Sequence, residues 1–145
     1  MPSKRVLVIC LAILFTMLFF ADLAIAQMDP IYRFKGVNIP VRLKIKADIL
    51  EKGAYDLEFL RASSTVSYFI KIMKGGKILD LLQGEEFRYD GTERDIARNP
   101  DIPTKPTLKM AINRSEKLLI LTFESGRYHR GYPLLRARFK YQYEE

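Results

Sequence analysis

The sequence predicts an all-β domain, a single β-sandwich of about seven to nine strands behind a cleaved N-terminal segment. Three observations lead there. Apolar and polar residues alternate with period two through most of the chain after residue 27. Turn residues, Gly75-Gly76 above all, separate the alternating runs. One long polar connection, Arg88 to Pro106, holds Pro100, Pro103 and Pro106 and shows no strand pattern, which suits a crossover between two layers. An up-and-down β-barrel is the alternative, because most other connections read as hairpins.

The first residues read as a secretory signal. Lys4 and Arg5 form a short positive region, Val6 to Phe20 carries no charge, and Ala24-Ile25-Ala26 places small residues just before Gln27. The uncharged run falls short of the ~20 residues that a spanning helix needs, and extending it would include Asp22. Residues 1–26 are therefore expected to be removed, leaving 27–145 as the folded domain. The bulky Ile9 before Cys10 argues against lipid attachment at that cysteine. Cleavage removes Cys10, the only cysteine, and with it any disulfide, thiolate metal site or cysteine nucleophile. A cysteine-free exported domain points to a bacterial periplasmic or secreted protein. If the segment were retained, it would be the chain's one membrane contact.

Taken in order, a short strand at Ile31 to Phe34 opens the domain, and Pro40 breaks it from the next. Val41, Leu43 and Ile45 point one way and Arg42, Lys44 and Lys46 the other; Tyr55, Leu57 and Phe59 alternate with Asp56 and Glu58. These runs are expected to pair as a hairpin, bringing Lys44 and Lys46 near Glu58 and Asp56. Residues Leu50 to Leu57, LEKGAYDL, resemble a turn of exported bacterial sandwich domains, in which a glycine precedes the aromatic that starts a strand.

The hairpin VSYFIKIMKGGKILDLLQG is the clearest, since Gly75-Gly76 can take positive φ at both turn positions. Pairing Lys74 with Lys77 then sets Met73 against Ile78, Lys71 against Asp80 and Phe69 against Leu82. Both faces are largely apolar, so one requires a cover. A further hairpin spans Thr107 to Ser125 with its turn at Asn113 to Lys117, and a last strand runs from Leu134 to Tyr143. Within the long connection, Thr92 and Asp95 suit the start of a helical turn that Asn99-Pro100 ends. The whole is expected to be immunoglobulin-like or a related sandwich.

Chemical motifs are sparse. His129, the only histidine, lies near Ser125 and Glu124, but neighbouring strand-end residues do not converge as a triad must, so it reads as a loop histidine. Glu85, Glu86, Asp90, Glu93 and Asp95 lack calcium-loop spacing and are interrupted by Arg88 and Arg94. There is no phosphate loop, zinc-ligand spacing or nucleophile elbow. No catalytic residue, metal or cofactor is expected.

Charge is more structured. The chain has 24 Lys and Arg against 17 Asp and Glu, a net +7; without the signal segment, 22 basic and 16 acidic residues remain. Arg42, Lys44 and Lys46 share one strand face and Arg136, Arg138 and Lys140 another, a candidate contact for acidic glycans or lipid headgroups. Tyr141 and Tyr143 project away from those cations, which disfavours a nucleic-acid stacking platform. Phe69, Met73, Ile78 and Leu82 form a candidate apolar face for a protein partner or a second copy, where burial supplies roughly 25 cal/mol per Å². These features suggest a non-enzymatic binding or assembly module. The alternative is a carrier whose second apolar face lines a cavity for a small apolar ligand.

Overall fold

In the computed structural model, the described residues are Lys4, Val8, Ile9 and the segments 28–46, 48–62, 67–127 and 134–145. Among the residues from 28 onward that are described, the alternating runs become strands and the long connection holds a short helix: β1 (Met28–Ile39), β2 (Arg42–Ile45), β3 (Asp48–Leu50), β4 (Gly53–Ala62), β5 (Tyr68–Lys74), β6 (Lys77–Gln83), β7 (Glu85–Glu86), α1 (Glu93–Arg98), β8 (Thr107–Asn113), β9 (Leu118–Glu124) and β10 (Arg136–Glu144). They form two antiparallel sheets. One has the order β1-β4-β5-β6; the other has the order β3-β2-β10-β9-β8, with β7 also paired to β10. The sheets keep separate edges, so the architecture is sandwich-like and not a closed barrel.

The inward residues of both sheets meet in an aromatic centre. Phe59 of β4 stacks on Phe123 of β9 at 4.2 Å between ring centroids and 11° between planes. Phe139 of β10 lies 5.5 Å from Phe59. Leu57, Ile70, Ile72, Leu119 and Leu121 surround them, fully buried. Rings at these separations add to simple burial, and truncating such a phenylalanine costs about 3–5 kcal/mol.

The expected pairing of β2 with β4 does not form. β2 pairs with β3 and β10 in one sheet, and β4 pairs with β1 and β5 in the other. The Glu51-Lys52-Gly53 turn is thus a corner between layers. The acids of β4 accordingly find other cations. Asp56 meets Arg33 at 2.8 Å and accepts the Gly36 N–H at 3.0 Å. That backbone hydrogen bond first, and the guanidinium second, hold its carboxyl below the ordinary aspartate range. Glu58 meets Lys71 at 2.7 Å.

The Gly75-Gly76 hairpin forms with positive φ at both glycines, 57° and 78°, and pairs Lys74 with Lys77 and Met73 with Ile78 as expected. Beyond Met73 the register shifts: Ile72 opposes Asp80, Lys71 opposes Leu81, Ile70 opposes Leu82 and Phe69 opposes Gln83. Leu79 is the extra residue of a β-bulge. Because side chains alternate, this one residue exchanges the faces of β6. Leu82 packs toward the core, and Asp80 is turned inward and 6% exposed. The expected Lys71–Asp80 pair is replaced by Lys71–Glu58.

The long connection joins β7 to β8, both in the sheet of β10, so it is not the expected crossover between layers; the chain changes sheet between β6 and β7 instead, while the expected helical turn does form. Thr92 caps α1 in a reciprocal capping box with Asp95. Arg127 holds the other end, its guanidinium donating to the carbonyls of Ala97 (2.7 Å), Asn99 and Ile102 (3.4 Å).

Gly84 carries the chain from β6 to β7, against the Phe139 ring; a Cβ there would stand 2.4 Å from a ring carbon. Gly84→Ala is expected to lower unfolding free energy by about 1–3 kcal/mol in urea denaturation. An unchanged midpoint would contradict this packing.

Candidate functional site

β10 is the strand on which the site is built. One edge pairs with β9 along most of its length. The other pairs only at its ends, with β7 at Ala137 and Arg138 and with β2 at Tyr143 and Glu144. Residues 139–142 have no strand beside them on that edge among the described residues. The Arg136 carbonyl accepts from Phe87 N–H on this side, and Tyr143 N–H donates to the Lys117 carbonyl on the β9 side. By alternation, the backbone groups of Lys140 and Gln142 face the uncovered edge.

A cleft of about 260 Å³ opens there, bordered by Lys44, Ile45 and Lys46, by Asp80, Leu81 and Leu82 of β6, and by Lys140, Tyr141 and Gln142. A second hollow of about 410 Å³ shares Ile45, Lys46 and Asp80 with it and continues toward Lys77. A third, about 330 Å³, shares Leu82 and Lys140 and continues past Gly84 to Arg138. The three form a groove beside β6.

Its rim is basic. Lys44 lies 3.6 Å from Glu144, which also has Arg42 at 3.8 Å. Lys46 and Lys140 have no ion pair among the described residues, and both are exposed. Its floor is different in kind. Asp80 is 6% exposed and Tyr141 3%. The Tyr141 hydroxyl is buried, with the Asp80 carboxylate as its neighbour. Burial first, and the neighbouring Asp80 carboxylate second, push its pKa far above the ordinary tyrosine value. Asp80 thus acts on the hydroxyl both through its charge and as a hydrogen-bond acceptor.

The six cations expected to make one face divide into two groups. Lys44, Lys46, Arg138 and Lys140 border the groove, with Arg42 at its β2 end. Arg136 is engaged elsewhere. Its guanidinium lies between the rings of Phe87 (4.0 Å) and Tyr89 (4.1 Å), and Arg138 adds a second contact to Phe87 at 4.6 Å. Beside this stack, Glu124 is 4% exposed. It accepts from the Tyr89 hydroxyl at 2.8 Å and from Lys109 at 3.0 Å. Burial, and then the bond to Glu124, raise the Tyr89 pKa strongly. Sequence reading missed Phe87 and Tyr89 because they fall in a polar, proline-containing stretch. It missed Asp80 and Tyr141 as neighbours because they lie on different sheets.

The apolar set is also rearranged. Phe69 and Met73 stand on the outer face of the first sheet, with Met73 already buried. Ile78 is 43% exposed beside the turn, whereas Leu82 points inward. The four therefore do not share one open face; the bulge separates them. Ser125 is fully buried, and its Oγ accepts the Leu135 N–H at 2.9 Å, so it pins the β9–β10 connection. His129 lies outside the described residues. Among the described residues, no group of three His, Cys, Asp or Glu is arranged to hold a metal ion.

Compared with protein-family models, with curated proteins and with solved structures, the chain matches none of them.

Tyr89→Phe removes one of the two hydrogen bonds to a buried carboxylate. It is expected to lower stability by about 1–3 kcal/mol by chemical denaturation. A change within a few tenths of a kcal/mol would mean that Lys109 alone satisfies Glu124.

Proposed function

We propose that the protein is an exported, non-enzymatic binding module that holds an anionic ligand along the groove between β6 and β10. The observation that carries this reading is the gathering of cations from β2, from Lys46 just after it and from β10 at one opening, with Lys46 and Lys140 lacking an anionic partner among the described residues. Glu144 supplies an internal precedent: where β10 meets β2, its carboxylate lies between Lys44 and Arg42. Low-dielectric walls on either side strengthen the field that a ligand would meet. Removal of residues 1–26 and export remain part of the proposal on the strength of the N-terminal pattern. An immunoglobulin-like relationship is likewise proposed on strand number and the two-layer arrangement.

The carrier reading has less support. The space between the sheets is occupied by Phe34, Phe59, Phe123 and Phe139, and the hollows lie at the edge of the sandwich. Assembly through the apolar set is weakened by the inward turn of Leu82 and the burial of Met73.

Titration against polyglutamate, polygalacturonate and polyphosphate tests the proposal. Binding to at least one polymer is expected, weakening as salt rises. The double variant Lys46→Glu, Lys140→Glu should lose affinity by about tenfold or more, equivalent to ~1.4 kcal/mol. Binding that is absent, or unaffected by reversing both charges, would overturn it.

A further inference from the structure

Folded sheets ordinarily protect their edges, because a row of unpaired backbone groups invites another strand. Among the described residues, β1 and β6 end the first sheet, and β3 and β8 end the second. Three of the four carry a protective device. β1 has Pro30 and two breaks in its register. β6 has the bulge at Leu79, and β3 is only three residues long. β8 has none of these. Its seven residues pair with β9 in one unbroken register and include neither proline nor glycine. Its one charge, Lys109, reaches back to Glu124 of β9 at 3.0 Å, away from the open edge.

The hydrogen-bond phase of the second sheet determines which groups lie on that edge. Tyr143 N–H donates to the Lys117 carbonyl and Ser125 N–H to the Leu135 carbonyl, so the odd-numbered residues of β9 face β10. The even-numbered ones face β8, where Thr122 opposes Lys109 and Ile120 opposes Ala111. Along β8 the backbone groups of the odd-numbered residues are therefore engaged with β9. Leu108, Met110 and Ile112 turn their N–H and C=O groups to the open edge. The side chains of Leu108 and Met110 pack on the core, whereas Ile112 is 43% exposed.

We infer that this edge takes a second copy of the chain, β8 against β8, antiparallel about a two-fold axis through Met110. In that register Met110 opposes Met110, and Leu108 opposes Ile112. Every open-edge N–H and C=O of both strands is then paired, in about six hydrogen bonds. Lys109 opposes Ala111 of the second copy, so no like charges meet. A slip of two residues one way would set Lys109 against Lys109. The same slip the other way would carry Leu108 past the end of the opposing strand. An identical strand in the Met110 register therefore complements this edge in both hydrogen bonds and charge. The exposed Ile112 gains Leu108 of the second copy as its cross-strand neighbour. The contact uses the same patch on both copies and closes at two. β8 lies two strands from β10, at the other end of the sheet, so pairing through it does not involve the groove.

Sedimentation velocity of the mature chain, residues 27–145, over a concentration series tests the inference. A monomer–dimer equilibrium is expected at micromolar concentrations. Ala111→Lys sets a lysine opposite Lys109 of the second copy, twice by symmetry, and should weaken the dimer about tenfold. Ala111→Glu sets an opposite charge there and should tighten it by a similar factor. Residue 111 is exposed, so both variants should keep the melting temperature of the dilute monomer. In hydrogen exchange, the amides of Leu108, Met110 and Ile112 should gain protection as the dimer forms, while those of Lys109 and Ala111 are protected already. A chain that stays monomeric overturns the inference. So does a dimer on which Ala111→Lys and Ala111→Glu act alike, or one whose new amide protection falls on β1, β3 or β6.

Discussion

One residue more in β6 than its partner β5 can oppose sets the character of the groove. In a regular hairpin, Asp80 would lie on the outer face beside Lys71. The bulge at Leu79 sends Asp80 inward and brings Leu82 with it, and Lys71 closes on Glu58 instead. A bulge also twists and bends the strand that carries it, and β6 is the strand that borders the opening. A single unpaired residue thus determines the charge on the groove wall, the ion pair on the outer face and the side chains that reach the core.

β10 supplies the other wall, and its two halves differ because their neighbours differ. At its N-terminal end, β7 pairs with it and the following aromatics cover its outer face, so Arg136 is enclosed between Phe87 and Tyr89. At its C-terminal end, β2 pairs for only two residues. Between these partners the edge is uncovered, and an exposed edge with unpaired backbone groups is something that folded proteins ordinarily protect. Here the lysines around it, and the shortness of the uncovered stretch between the β7 and β2 pairings, prevent it from offering a long flat template. The inward side chains of the same strand, Phe139 and Tyr141, belong to the core and to the groove floor respectively.

Much of the fold was legible locally. Gly75-Gly76 located a hairpin, Asn113 to Lys117 located another, and the alternation from Leu135 onward separated the inward Ala137, Phe139, Tyr141 and Tyr143 from the outward cations. The Thr92 and Asp95 spacing located the start of α1. Pairing between sheets was not legible. Period-two alternation states which face a residue occupies and not which strand lies beside it, so β2 was assigned to β4 when its partners are β3 and β10. The bulge left no mark either, since Leu79 is as apolar as its neighbours. Four of the six predicted cations gather at the groove. The floor was invisible because Asp80 and Tyr141 are 61 positions apart in sequence, and only the closure of one sheet on the other brings them together.

The central claim is that the groove between β6 and β10 is the binding surface, and backbone amide shifts during titration with whichever of polyglutamate, polygalacturonate and polyphosphate binds test it directly. The account predicts saturable changes confined to Lys44–Lys46, Asp80–Leu82 and Lys140–Gln142, with the amides around Arg136 and Phe87 unmoved. Changes that scatter over exposed lysines throughout the domain, or that concentrate at the Arg136 stack, would contradict it.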